Sequence, residues 1–227
     1  MQSSRASLAA RAPGVRAAKL PADARRQQVL DVAIRVFAER GYEGASTLSI
    51  ALAAGVGEPT IYRHFASKRA LFLAAFDRSS TELLDRWRTI AAESASPLEA
   101  IGRIGIWYTE QLRTRPDDLL LRYRTLSHNQ DAEITARVRT NYRETLAFVE
   151  DLYAQARTRG EIDAGSDPRT LAWLFVAVGA ALDQAQLLGL GEELTADVIG
   201  RIGVLIQTGG RGPTAGRGPA GGPERNT

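Results

Sequence analysis

Ile50, Ala51, Ala54 and Val56 flank a glycine at position 55, and Ile61 and Phe65 follow beyond it, four residues apart. This spacing predicts two short helices joined by a tight turn of three to four residues, the form of a helix-turn-helix. Gly55 permits the reversal. Ala51 and Ala54 let the two helices approach closely, and Ile61 and Phe65 turn inward onto Leu30, Ile34 and Phe37 of a preceding helix. Glu58, Pro59, Thr60, Tyr62, Arg63 and His64 are then left facing outward. Such side chains hydrogen-bond phosphate or base edges, except Pro59, which offers apolar contact only. Glu58 has the wrong charge for a polyanion. It either suits the positive end of its own helix or accepts from a cytosine amino group.

The rest of the chain between its two ends also reads as helix, so the fold class predicted is all-α, with about nine helices. Asp23 is a fair N-cap for the first, and Gly41 supplies its stop. Ser46 caps a helix through about Ala54, and the recognition helix runs from about Glu58 to His64. Ser67 caps a long fourth helix continuing past Trp87 towards Ala92. Pro97 opens a helix that Pro116 ends. Further helices span Asp117 to Ser127, Asp131 to Arg159 (closed by Gly160), an apolar one opened by Asp167-Pro168, and Glu193 to Gln207. No strand or hairpin pattern and no internal repeat is evident. The domain boundaries expected are a helix-turn-helix domain at 21–66 and a helical effector-binding and dimerisation domain at 67–207. A disordered basic arm (1–20) precedes them and a disordered Gly/Pro-rich tail (208–227) follows.

Charge is unevenly placed. Residues 1–78 hold 12 Arg and Lys against 6 Asp and Glu, whereas residues 79–207 hold 14 against 19. A basic N-terminal third on an acidic remainder suggests that one end meets a polyanion. Residues 1–20, rich in Arg, Ala and Ser, read as a solvated arm, a minor-groove arm or an import signal. No apolar run reaches the ~18 residues that span a bilayer, and no membrane partner is expected. Cysteine is absent and only two histidines are present, His64 and His128. That excludes disulfides, cysteine nucleophiles and a His-based metal cluster. No nucleophile elbow or phosphate loop occurs, and the Asp117-Asp118 pair reads as an acidic first turn. Neither an enzyme nor a cofactor or metal is expected.

The stretch from about residue 25 to 76 resembles the TetR family of transcriptional regulators. Its composite signature stands here as Ile50-Ala51, Ala54-Gly55-Val56, Ile61-Tyr62, Phe65 and Lys68. The resemblance implies a cytoplasmic, ligand-responsive regulator, by the family's usual mode a repressor, that binds double-stranded DNA at a palindromic operator as a homodimer. It implies phosphate contacts at Thr47, Tyr62, His64 and Lys68, and base or sugar-phosphate contacts at Pro59, Thr60 and Arg63. Tyr62 also reads as a core-rim aromatic, and His64 as a helix C-cap. Two positions depart from the family pattern. Leu48 replaces a residue that is often polar or basic, leaving only apolar contact such as a thymine methyl, and Arg69-Ala70 replaces acidic residues.

The segment LAWLFVAVGAALDQAQLL is apolar almost all round, so it is buried either in the monomer's core or against a second copy. The resemblance favours a four-helix dimer interface with residues 193–207, carried by Trp173, Phe175, Ala177, Ala180, Ala181, Ile199 and Ile202. It also implies a small-molecule effector of unknown identity bound among the middle helices. Trp107, Tyr108 and Tyr123 are the candidate pocket residues, since a pocket needs apolar walls with a few polar groups. Arg103, Arg122 and Arg124 either serve an anionic effector or face solvent. Effector binding would then act by shifting the fourth helix. The alternative reading is a helical ligand-binding or adaptor protein with a vestigial DNA reader, and an all-α enzyme is the weaker one.

Overall fold

The computed structural model describes residues 21–126 and 131–207, and the side chains of all but a few of these. The expected arm (1–20) and tail (208–227), together with Ser127 and His128, fall outside the described residues. Among those described there are nine α-helices and no strand. They are α1 (Ala22–Gly44), α2 (Thr47–Ala53), α3 (Glu58–His64), α4 (Lys68–Ala92), α5 (Pro97–Thr114), α6 (Pro116–Leu126), α7 (Ala132–Thr158), α8 (Pro168–Leu187) and α9 (Ala196–Gln207).

Local chemistry sets most of the boundaries. Ser46 and Ser49 cap α2 reciprocally, each hydroxyl accepting from the other's backbone N–H at 3.0 and 3.1 Å. Ser67, Ser96, Asp131 and Asp167 each accept from a backbone N–H in the first turn of α4, α5, α7 and α8. Two expectations need correction. Asp23 is not the N-cap of α1: the helix starts one residue earlier, Pro21 holds the cap position, and Asp23 lies in the first turn. The last helix does not begin at Glu193. A single 3₁₀ turn covers Gly191–Glu193, and α9 starts at Ala196, where the Thr195 hydroxyl accepts from Val198 N–H at 3.3 Å. Gly41 interrupts α1 with φ +70° and ψ 178°, a region that only glycine occupies comfortably.

Two buried clusters organise the molecule. The first joins α1, α2, α3 and the start of α4 around Phe37, Ile50, Ile61 and Phe72, all 0% exposed. Leu121 of α6 and Ile134 of α7 complete it. The second joins the remainder of α4 to α5, α7 and α8 around Trp87, Ile104, Leu119 and Tyr153. A fully buried side chain of this kind contributes about 1.5–3 kcal/mol. The helix α6 therefore belongs to both, with Leu119 in one cluster and Leu121 in the other. It lies along α1, and its Arg124 donates to the Glu39 carbonyl at 3.2 Å.

By length and composition α8 is apolar enough to span a bilayer, yet only 17% of that window is buried within the chain. Asp183 sits fifth from its C-terminal end, so the apolar face has a charged neighbour on the same helix.

Candidate nucleic-acid interface and internal cavity

The helix-turn-helix is held from beneath. After α2, the Gly55 N–H donates to the Leu52 carbonyl (3.1 Å) and the Val56 N–H to the Ala51 carbonyl (3.0 Å). That is the glycine-closed C-terminal motif, with Gly55 at φ +65°. Ala51, Ala54, Ile61 and Phe65 are buried, at 1%, 4%, 0% and 4% exposure, so α3 is fixed along one side and bare along the other.

On the bare side, Pro59, Tyr62 and Arg63 are exposed, as is Leu48 on α2, while Thr60, His64 and Lys68 are half-buried. Arg63 reaches Thr60 Oγ1 at 3.4 Å, a contact loose enough to leave the guanidinium available. Lys68 is more constrained. Its Nζ donates to the Ala45 carbonyl at 3.1 Å and lies 4.4 Å from the Tyr42 ring centroid. One of its three donors is thereby committed, and the charge is held over the α1–α2 junction. Arg69 faces the other way: its guanidinium pairs with Asp131 (3.2 Å) and Glu133 (3.1 Å) at the start of α7, so this extra positive charge is neutralised within the chain.

Thr47 and Glu58 are tied together. Thr47 is buried, its hydroxyl donates to Glu58 Oε1 at 2.5 Å, and Tyr62 Oη lies 3.1 Å from the same hydroxyl oxygen. With the Thr47 proton on Glu58, the Tyr62 hydroxyl is the donor of the second bond. A chain Tyr62→Thr47→Glu58 thus links the start of α2 to both ends of α3. The negative charge in this face has an internal partner, and it stands in the first turn of α3 where the helix field favours it.

The second cluster surrounds a cavity of about 520 Å³, walled by α4, α5, α7, α8 and α9, with Arg122 and Leu126 from α6. Tyr108 lines it, edge-on to Trp87 at 6.1 Å. Trp107 does not; it borders a smaller chamber of about 200 Å³ with Ser79, Glu82, Arg115 and Asp118. Tyr123 lines neither and is half exposed. Of the polar groups at the main cavity, Tyr108 and Arg122 were singled out by sequence, and Asp183 was not. Tyr108 Oη donates to Asp183 Oδ1 at 2.6 Å, and Arg122 approaches the same hydroxyl at 3.5 Å. Burial raises the Asp183 carboxyl above the usual Asp range, against the opposing effects of Tyr108 and Arg122. Burial likewise pushes the Tyr108 and Tyr153 hydroxyls well above the ordinary tyrosine value. The one available sequence signal was Asp183, the only charged residue within the run from Leu171 to Leu188.

Of the residues expected at a dimer interface, Trp173, Ala177 and Ala181 are exposed on α8. Ala180 is exposed at the cavity's edge, whereas Phe175, Ile199 and Ile202 line the cavity itself. Phe175 packs edge-on against Trp87 at 5.8 Å.

The chain thus combines a helix-turn-helix whose recognition helix is bare on one side with a helical body that holds a cavity. Residues 29–75 match the model of the bacterial regulatory proteins of the tetR family, so this N-terminal segment is of the TetR type. The transcriptional activator FasR of Mycolicibacterium smegmatis is 46% identical over 66 residues, 29% of this chain and 30% of that protein. The match thus spans less than a third of that relative's length. A TetR/AcrR-family regulator from Thermobifida fusca shares the fold more widely. It is 27% identical, with a TM-score of 0.62, over 83% of this chain and 99% of that one. FadR of Bacillus subtilis, solved in complex with stearoyl-CoA, has the same fold at 19% identity and a TM-score of 0.68, covering 81% and 98% of the two chains.

Proposed function

We propose that this protein is a ligand-responsive repressor that occupies a palindromic operator as a homodimer and is released when a small molecule enters the cavity of its body. The observation that carries the DNA-binding half is α3 itself. It is pinned by Ile61 at 0% exposure while Pro59, Tyr62 and Arg63 are exposed on its other side, Tyr62 oriented by its hydroxyl bond to Thr47 and Arg63 touching only Thr60 of its own helix. The effector half is supported by the cavity. Its walls are largely apolar with a few convergent polar groups, and its volume falls in the range of small-molecule sites. The stearoyl-CoA held by the B. subtilis regulator is a precedent for an effector on this fold.

A second copy is the proposed cover for the outer face of α8 and α9. Trp173, Leu174 and Leu205 are 51%, 45% and 58% exposed, alanines 177 and 181 lie exposed beside them, and Ala180 and Val204 are exposed at the cavity's rim. Large apolar side chains around a stripe of small ones suit close helix packing, and two half-site readers give the specificity that one lacks. The test is DNA binding by anisotropy against fragments from the protein's own upstream region, at several salt concentrations. Specific binding should fall steeply with salt. Lys68→Ala should weaken all sequences alike, whereas Arg63→Ala should alter preference among operator variants. Binding no tighter than to random DNA would defeat the reading. A reporter fused to the operator gives the sign of regulation, because FasR is named an activator.

A further inference from the structure

The cavity contains two buried hydrogen-bond donors with no acceptor. Trp87 Nε1 and Tyr153 Oη both belong to lining residues, are buried at 5% and 0% exposure, and have no hydrogen-bond partner among the described residues. Native interiors rarely leave such groups unpaired, because stripping a polar group of water without replacing its bond costs stability. An indole N–H can only donate. What these groups lack is an acceptor.

The cavity's charges, by contrast, are already matched. Among the described residues, Arg122 and Asp183 are the only ionisable side chains of lasting charge on its wall, and they have opposite signs. Both are directed at the Tyr108 hydroxyl, which donates to Asp183 and accepts from Arg122. A carboxylate entering this space would meet Asp183, and an ammonium would meet Arg122. Either would bring an unbalanced charge into an otherwise apolar enclosure, where desolvation is costly.

Resting on the reading of this cavity as the effector site, we infer that its ligand is a neutral, mainly apolar molecule whose carbonyl-type oxygen accepts from Trp87 Nε1–H or Tyr153 Oη–H. Ketones, lactones and esters have this chemistry. A thioester carbonyl shares it, but the phosphates of a coenzyme A head have no cation on this wall beyond Arg122, which Asp183 already balances. The acidic head is therefore a liability here.

The experiment titrates the full-length protein with four probes of equal chain length, 2-undecanone, undecanoate, undecylamine and undecanoyl-CoA, by calorimetry at neutral pH. The ketone is expected to bind at least about tenfold tighter than each charged probe, since an uncompensated buried charge costs more than one hydrogen bond. Tyr153→Phe, which keeps the ring and removes the donor, or Trp87→Phe, the independent second variant, should weaken the ketone about fivefold, the loss of one ordinary hydrogen bond. Both are checked for native helicity by circular dichroism. A charged probe that binds as tightly as the ketone overturns the inference and leaves the effector site standing. Unchanged ketone affinity in both variants overturns the assigned pairing. No binding by any probe removes the effector site together with the inference.

Discussion

Thr47→Val tests the hydrogen-bonded chain that ties α2 to α3. Valine has nearly the shape of threonine, so at 7% exposure the change deletes the hydroxyl and little else. The bonds lost are the donation to Glu58 at 2.5 Å and the acceptance from Tyr62 at 3.1 Å. A hydrogen bond to a charged group is worth about 1.5–3 kcal/mol, and a neutral one about 1 kcal/mol. Neither is lost in full, because Glu58 is half-buried and Tyr62 half-exposed, so both regain water. The expected destabilisation is about 1 kcal/mol, roughly a fivefold fall in the folded-to-unfolded ratio. The assay is urea denaturation of a double-mutant cycle of Thr47→Val with Glu58→Gln. If the chain exists, the second substitution costs less in the presence of the first, by at least about 0.5 kcal/mol. Additive losses would refute the coupling. Operator affinity gives a second readout: both single variants should lose binding to similar extents, since each releases the same link between α2 and α3.

Asp183→Asn probes the buried carboxyl of the cavity. Burial holds its folded pKa above the ordinary aspartate value, so its contribution favours folding below about pH 4 and is lost as pH rises through the folded pKa. Asparagine should flatten this fall, seen as a smaller pH slope of the urea midpoint than in wild type. Gly41→Ala forces a side chain into φ +70°, where the new Cβ would lie 3.1 Å from Arg124 Nη1. A loss of about 1–3 kcal/mol is expected by thermal or chemical denaturation. Ala181→Glu places a charge on the exposed face of α8 and should convert dimers to monomers in light scattering, while leaving the helical content unchanged. An unaltered dimer would locate the interface elsewhere.

The DNA-facing half was readable in sequence because its constraints are local. Helical period, a turn glycine and two small alanines determine which residues of α3 are covered, and Ile61 and Phe65 lie where that period puts them. Thr47 shows the limit of such reasoning. Resemblance implies a phosphate contact, but its hydroxyl proton is directed at Glu58, eleven residues away, a pairing that depends on how two helices cross. The cavity was hidden for a similar reason. Tyr108, Tyr123 and Tyr153 look alike as aromatics on amphipathic helices, and only the packing of five helices decides that the first and third face inward. α8 was ambiguous in another way: a helix apolar all round carries no phase, so its sequence could not say that Phe175 turns to the cavity while Trp173 turns out. Asp23 misled because an acidic residue near a helix start serves equally as cap or as first-turn charge.

The placement of α6 has a consequence for how such a molecule changes over time or under engineering. Eleven residues, about 16 Å of helix, are a principal bridge between the two buried clusters, with Leu119 on one side of the division and Leu121 on the other. Volume changes at Ile104, Leu152 or Phe175 can be absorbed within the body's own cluster, because none of these residues touches the packing beneath α3. Under the proposed function, ligand preference can therefore be redrawn by substitution in the body while the operator stays the same. The bridge itself has no such freedom. Arg122 stands at the cavity and Arg124 rests on the end of α1, two positions apart on one short rigid element. A library that varies the cavity walls but spares residues 116–126 keeps the packing between the two clusters intact.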